Sequence, residues 1–172
     1  MGCDVKHGRE MGHTPAEDDR SLGRAGARAS SAGVLELTEE HCWQYLQVHQ
    51  LGRLAIVIGG RPQIFPVNYA VGEKSIVFRT EPGSKLAHGP GSVACFEIDG
   101  YDPHQREGWS VTAVGPLEEI TDAEDARSRA LRQLRLDPLA PGARLHWIAL
   151  NAEKVTGRRF AAGWVIPGLF LG

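Results

Sequence analysis

The sequence has few of the residues that build a disulfide framework or a metal site. Three cysteines occur in 172 residues, an odd number with no CxxC pair, which is typical of reduced thiols in a cytoplasm. The seven histidines form no HExxH or CxxC…H spacing, so no zinc site is predicted. We therefore expect a cytoplasmic protein without a bound metal.

An excess of charge of one sign and a long apolar run are also lacking. The formal net charge is -2, too small to recruit nucleic acid or an anionic membrane surface. No stretch reaches the roughly 18 apolar residues of a membrane span, and the first residues contain no apolar segment of signal-peptide length. No nucleic-acid or membrane partner is expected.

The usual nucleotide-binding signatures are missing as well. No GxGxxG follows a strand pattern, and the Gly-Ser-Lys at 83–85 is not part of a GxxxxGK[ST] loop. These absences argue against a Rossmann fold and against a P-loop nucleoside triphosphatase. No pair of residues stands out as a nucleophile with its base, so the catalytic residues are unknown from the sequence.

The first 33 residues differ in composition from the rest. Val5 and Leu22 are their only branched aliphatic residues, so this segment lacks the apolar surface that would offset the entropy of ordering. We predict a disordered N-terminal tail over 1–33 and a single folded domain over 34–172.

Two segments have helical periodicity. The pattern over 35–50 predicts a helix with Thr38 as its N-cap. Its apolar face comprises Cys42, Tyr45, Leu46 and His49. A second helix is predicted from the capping box of Thr121 to Glu124, with apolar residues at helical spacing as far as Leu134.

Alternating or continuous apolar residues predict strands joined by tight turns. Gly59-Gly60 and the Gly-Glu-Lys at 72–74 are the hairpin signals. The predicted strands cover 52–58, 62–71, 75–80, 92–99, 108–121 and 144–151. Such a series favours a mostly β fold with a few helices, and six antiparallel strands are enough to close a small barrel.

Two features of these strands point to a binding site. Pro66 cannot donate a hydrogen bond to a neighbouring strand, so its strand is expected to be bulged or to lie at an edge there. Arg79 and Thr80 end another strand and are followed at once by Ser84 and Lys85. If a short helical turn follows, its free amides, the hydroxyls and the two cations would suit a phosphate.

Taken in order, five segments carry a family resemblance: GRLAIVIGGRPQIFPVNYAV, VFRTEPGSKL, VACFEID, GWSVTAVGP and HWIALNAEKVTGRRF. They resemble the flavin-binding split-barrel proteins of the pyridoxamine 5'-phosphate oxidase superfamily, especially small bacterial members that include nitroimidazole-resistance proteins. The resemblance covers roughly residues 35–160. It implies a homodimer of six-stranded antiparallel split barrels, with two FMN sites at the interface and a small-molecule substrate.

The resemblance also assigns cofactor-binding residues. In the family, the strand ending in Arg-Thr and the following Ser-Lys hold the FMN phosphate, while the proline-containing strand lies along the flavin ring. A later strand contacts the ring from the opposite subunit. The positions that correspond are Arg79, Thr80, Ser84 and Lys85 for the phosphate, Phe65, Pro66, Val67 and Asn68 beside the ring, and Trp109 and Ser110 on the later strand. Trp109 is equally compatible with a place in the core.

The expected function is that of an FMN-dependent oxidoreductase that exchanges hydride or electrons with a small or aromatic acceptor. The C-terminal GWVIPGLFLG departs from the Arg- and Trp-rich end of true pyridoxamine phosphate oxidases, which argues against oxidation of a vitamin B6 phosphate. Two alternatives remain: a deazaflavin (F420)-dependent reductase, and a non-catalytic flavin or haem module with His88 as the haem ligand. Arg158 and Arg159 are expected to have a structural role at a sheet edge or dimer interface.

Overall fold

Nine β-strands and three helical segments make up the described part of the chain. In a computed structural model, that part comprises residues 27–30, 34–121, 125–136 and 145–160. The strands are β1 (Ala27–Ser30), β2 (Val34–Leu37), β3 (Leu51–Ile58), β4 (Arg61–Gly72), β5 (Ser75–Thr80), β6 (Val93–Asp102), β7 (Glu107–Glu119), β8 (His146–Asn151) and β9 (Lys154–Phe160). The helices are α1 (Glu39–Val48), α2 (Ser84–His88) and α3 (Ala126–Arg132).

Six of the strands pair in a closed ring. The order around it is β3, β4, β5, β8, β7, β6 and back to β3, and each pairing is antiparallel. Outside the ring, β9 pairs with β7, β2 pairs with β9, and β1 pairs with β2. The predicted mostly β, antiparallel fold is confirmed, and the six ring strands are those that the sequence predicts.

Two-residue turns close the first two hairpins at the predicted places, although Gly72 belongs to β4 and not to the second turn. Gly59 and Gly60 have φ values of 58° and 76°, and Glu73 and Lys74 have φ values of 50° and 58°. Positive φ at both central residues matches the right-handed twist of the flanking strands. The hairpins therefore fix the register of β3 on β4 and of β4 on β5.

The structure differs from the sequence prediction at the N-terminal side of the domain. Residues Val34–Leu37 form strand β2 on β9, not the first turn of a helix. Thr38 is the N-cap, as predicted, and its hydroxyl oxygen accepts the amide of His41. An N-cap residue has extended backbone angles, so the three residues before it cannot continue the helix.

The predicted tail also differs at its end, because Ala27–Ser30 form β1 on β2. Ladder hydrogen bonds use the backbone and do not require apolar side chains, so composition does not reveal such a strand. The remaining tail residues, 1–26 and 31–33, lie outside the described residues.

The ring encloses the main apolar core, and α1 contributes to it. Cys42, Tyr45 and Leu46 of α1 are fully buried with ring residues such as Phe78 and Phe96. Burial raises the pKa of the Cys42 thiol to about 11, so this cysteine is a protonated apolar residue at neutral pH.

Helix α3 packs on the outer side of β5 and β8, where it covers a second apolar cluster. This second cluster comprises Val77, Ile120, Leu131 and Ala149, with Leu134, Leu136 and Trp147 packed against it. The helix begins later than its predicted capping box, because the carboxylate of Asp125 accepts the amide of Ser128 at 2.7 Å and makes Asp125 the N-cap. Thr121 lies before the helix, and 122–124 are outside the described residues.

A polar network fastens α3 to the ends of three ring strands. Arg127 donates to Glu118 at 3.0 Å and to Ser75 at 3.2 Å, and it also contacts Asn151. The amide of Asn151 donates to Glu118 at 2.9 Å. The Asn151 and Arg127 hydrogen bonds hold the pKa of Glu118 below its ordinary range.

We expect Glu118→Gln to lower stability at pH 7 by no more than about 1 kcal/mol, since this carboxylate is partly exposed. A lowered folded-state pKa contributes stability above the ordinary glutamate pKa of about 4.3, and that stability is lost as the pH falls through the folded-state pKa. Urea unfolding of wild type and variant should therefore differ at pH 7 and converge as the pH falls through the folded-state pKa. Glu153→Gln, on an exposed carboxylate, is the control, and an equal change in both variants would contradict the network's role.

Candidate cofactor site

The proline-containing strand has one open edge where the sequence predicts it. Along Arg61–Asn68, β4 pairs with β3, and pairing with β5 begins only at Tyr69. Pro66 lies in this first part of β4, where one edge pairs with β3 and the other edge has no partner strand among the described residues. It is opposite Arg53 of β3 and is exposed. The prediction of an edge position is confirmed, and the backbone on this side of Pro66 is accessible.

Beside this edge lies a cleft of about 200 Å³, which we call the phosphate cleft after the ligand that the sequence predicts for it. Three segments form it: the middle of β4, the end of β5 with the following turn, and the first residues of α2. Its lining residues are Pro66, Val67, Arg79, Thr80, Glu81, Pro82, Gly83, Ser84 and Lys85. The helical turn predicted after the Pro-Gly is confirmed as α2, in which the amide of Ala87 donates to the carbonyl of Gly83 at 2.9 Å.

Both cations of the cleft are held against aromatic rings. The guanidinium carbon of Arg79 lies 5.2 Å from the centre of the Trp147 ring, and the Lys85 amine lies 4.8 Å from the centre of the Phe65 ring. Such contacts attract the cation and limit its freedom without neutralising it. The rings of Trp147 on β8 and Phe65 on β4 therefore hold the two positive charges beside one cleft.

Arg79 has a further property that suits an anion. Its Nε atom is buried and has no hydrogen-bond partner among the described residues. Within the same residues, Arg79 also forms no ion pair with a carboxylate. A buried donor without a partner is unfavourable, and a phosphate oxygen is the kind of acceptor that a guanidinium binds well. The residues of the cleft thus fit a phosphate group.

The two hydroxyls differ in their surroundings. Thr80 is buried, and its hydroxyl donates to the carbonyl of Glu81 at 3.1 Å. Ser84 is exposed at the start of α2. Because a hydroxyl can rotate, both are able to donate to an oxygen in the cleft, although Thr80 would have to exchange its present acceptor.

The structure brings together most, but not all, of the predicted site residues. Pro66, Val67, Arg79, Thr80, Ser84 and Lys85 line the phosphate cleft, and Phe65 joins them through its contact with Lys85. Asn68 follows on β4 and borders a second cavity of about 350 Å³ with Gln50, Tyr69, Arg135 and Leu136.

Trp109 and Ser110 are not part of this group within one chain. Trp109 is only 7% exposed and packs in the core, with its ring centre 4.5 Å from that of Tyr45 and 4.7 Å from that of His49. Ser110, half-buried, pairs with Asp99 on β6 and with Arg158 on β9. A contact of these two residues with a cofactor of a second subunit stays a prediction.

Several other polar and charged residues lie outside the cleft. Arg159 forms an ion pair with Glu107 at 2.9 Å across β9 and β7, and His88 is exposed at the end of α2. Glu97 and Asp99 both contact Arg53 of β3, so their ion pairs lie within the chain on the outer face of the sheet.

Sequence reasoning missed the two aromatic contacts. Trp147 of β8 is directly opposite Arg79 of β5, but β5 and β8 are far apart in sequence, and a strand pattern does not contain the register between them. The backbone of Phe65 was predicted to lie beside a flavin ring, and its side chain also contacts the amine of Lys85. The alternation within each strand, together with a known register, is the signal that would have found the contact of Arg79 with Trp147.

No group of three or more His, Cys, Asp or Glu residues comes together as metal ligands in the described part of the chain. In that same part, none of the helices has both the length and the apolar character needed to span a bilayer.

Sequence comparison with known proteins identifies one family and one relative of this chain. The chain matches the sequence model of the pyridoxamine 5'-phosphate oxidase family over residues 38–159. An uncharacterized protein of Mycobacterium tuberculosis is 30% identical over 145 residues, which are 81% of this chain and 93% of the relative.

Solved structures with the same fold include flavin-binding proteins. A FAD binding protein from Mycobacterium smegmatis has a TM-score of 0.62 at 30% identity, covering 73% of this chain and 97% of its own. A FAD-binding protein from Mesorhizobium loti has a TM-score of 0.59 at 25% identity, covering 74% of this chain and 99% of its own. The family match over 38–159 spans most of the chain, and on that evidence this protein belongs to the pyridoxamine 5'-phosphate oxidase family.

Proposed function

We propose that this protein is a flavoprotein that binds FMN with its phosphate in the phosphate cleft and uses it as an oxidoreductase. The observation that carries the proposal is the convergence of Arg79 and Lys85 on one cleft, with the buried Nε of Arg79 left without a partner in the described residues. Two relatives of the same fold are named FAD-binding proteins. FAD contains the same riboflavin phosphate, joined there to adenylate through a pyrophosphate bond, so it is the second cofactor to test.

The residues of the cleft have separate tasks in this proposal. Arg79 supplies a planar fork and Lys85 a point charge for the phosphate oxygens. Ser84 and Thr80 donate hydroxyl hydrogens. The exposed edge of β4 from Phe65 to Asn68 offers backbone groups to the polar rim of the flavin ring, because no strand covers that edge in the described residues.

A bound flavin would supply the hydride or electron transfer, and the protein would bind and orient it. This division of labour is consistent with the absence of an obvious catalytic pair in the sequence. The substrate we propose is a small or aromatic acceptor. The deazaflavin coenzyme stays an alternative cofactor, since its phosphate presents similar oxygens to the cleft.

We further propose that two copies form a homodimer of split barrels, with the flavin sites at the interface. The outer face of β3, β4 and β6 supports this proposal, because Val57, Ile64 and Val93 are exposed there by 61%, 66% and 64%. In the register, Ala55 lies opposite both Ile64 and Cys95, so these side chains share one apolar face. The face continues along β4 to Pro66 at the phosphate cleft, and contiguous exposed apolar surface is typical of protein interfaces.

Ile64→Lys should weaken the dimer, since it would place a charge in this apolar face. Light scattering during gel filtration should give the mass of two chains for wild type and a mass shifted toward one chain for the variant. Val48→Lys changes an apolar residue exposed by 50% on α1 and should leave the mass unchanged. A monomeric wild type would refute the dimer, and equal effects of both variants would refute the assignment of the face.

The function is tested most directly on the purified protein. An absorbance spectrum should show a bound flavin, and mass spectrometry after denaturation should identify it as FMN, FAD or deazaflavin. Equilibrium titrations of stripped protein with FMN, FAD, F420 and riboflavin follow, and riboflavin should bind more weakly because it has no phosphate. Equal affinity for FMN and riboflavin would contradict the phosphate assignment, and failure to bind any of these ligands would refute the function.

A further inference from the structure

Trp147 occupies a position that the proposed function leaves unexplained. It lies on β8 directly opposite Arg79 of β5, and side chains of such opposite residues project from the same face of a sheet. The face is the outer one, because the neighbours Val77 and Ala149 belong to the second cluster under α3. Arg79 and Trp147 therefore meet where the second cluster ends and the phosphate cleft begins.

The contact between them is not that of a structural ion pair. The Arg79 guanidinium lies over the Trp147 ring at 5.2 Å, while its Nε is buried without a partner in the described residues. A guanidinium that only stabilised the fold would be expected to have a carboxylate partner, and the described residues provide none. The ring fixes the position of the charge and leaves its hydrogen-bonding capacity unused.

The ring itself is held by the second cluster. Trp147 packs against this cluster, which includes Leu131 of the helix α3. The helix is in turn fastened by the Arg127 network. A chain of packed groups thus leads from α3 through Trp147 to Arg79.

We propose that Trp147 is a positioning residue for the cofactor phosphate: it holds the Arg79 guanidinium at the cleft before the ligand arrives. An arginine side chain otherwise loses much rotamer freedom when it binds a ligand. With the stack already formed in the free protein, that loss occurs on folding instead of on binding, which raises affinity. The inference rests on the proposed function, because it requires a phosphate-bearing ligand.

The test compares Trp147→Leu with wild type in titrations with FMN and riboflavin. Loss of the ring should raise the Kd for FMN about tenfold, equivalent to about 1.4 kcal/mol, and leave the Kd for riboflavin unchanged. Trp147→Phe retains an aromatic face of weaker attraction and should restore part of the affinity for FMN. This second variant also keeps the test valid if Trp147→Leu does not fold.

Leu134→Ala is the matched control, because it removes another apolar side chain that packs against the second cluster and leaves the ring beneath Arg79. It should lower the melting temperature without changing the Kd for FMN. If Leu134→Ala weakens FMN as much as Trp147→Leu does, or if FMN and riboflavin lose affinity equally, Trp147 has only a structural role. If wild type binds no flavin, the proposed function and this inference are both refuted. If wild type binds FMN only as tightly as Trp147→Leu does, this inference alone is refuted.

Discussion

Replacement of Lys85 by alanine should raise the Kd for FMN by a factor of about ten to a hundred or more. The ammonium group lines the phosphate cleft, and a hydrogen bond to a charged partner contributes about 1.5–3 kcal/mol. The substitution also removes the cation from the Phe65 ring, where it lies 4.8 Å from the ring centre. Fluorescence titration of stripped protein measures the effect, since flavin emission changes on binding.

The fold should survive this substitution, because Lys85 lies on the short helix α2 at the surface and not in the ring core. Lys154→Ala removes an exposed cation from β9, outside the phosphate cleft, and is the matched control for net charge. FMN affinity that falls equally in both variants would indicate a long-range charge effect, and unaltered affinity in Lys85→Ala would contradict the phosphate assignment. Riboflavin affinity should be the same in all three proteins.

The phosphate cleft was largely predictable because its main residues are close in sequence. Arg79 to Lys85 form one strand end, one turn and one helix start, so local rules for strands, Pro-Gly turns and anion contacts are sufficient to group them. Pro66 was predictable for another local reason, its missing amide hydrogen. What the sequence did not contain was the register of β8 on β5, which brings Trp147 to Arg79.

The differences between the predicted and the observed fold also come from strand pairing that the sequence does not contain. The ring strands have strong apolar patterns, whereas β9 has mainly exposed or half-buried side chains and only Gly157 is buried. Its place in the sheet depends on backbone pairing with β7, which composition does not reveal. β2 was hidden for a related reason: Leu35 and Leu37 match a helical pattern as well as a strand, and only the extended N-cap at Thr38 separates them from α1.

Gly115→Ala should destabilise the fold far more than an ordinary surface change. Gly115 lies on β7 between its pairing with β9, which ends at Val114, and its pairing with β8, which begins at Leu117. The connection from β8 to β9 runs beside β7 at this point, and the amide of Glu153 donates to the carbonyl of Val114 at 2.9 Å. A Cβ at Gly115 would lie 1.9 Å from the carbonyl oxygen of Asn151. Gly115 is therefore a position of β7 where neighbouring backbone leaves no room for a side chain.

Because the obstacle is the backbone of Asn151 and Glu153, no rotamer change can relieve it. We expect a loss of about 3 kcal/mol or more, which corresponds to a fall of roughly 6–12 °C in melting temperature for a chain of this size. Gly59→Ala is the control: its φ of 58° is unfavourable for alanine, but a Cβ there meets nothing within 4 Å. That variant should lose only about 1–2 kcal/mol. Equal losses in calorimetry would mean that the close approach of the Asn151 backbone is not what requires glycine at 115.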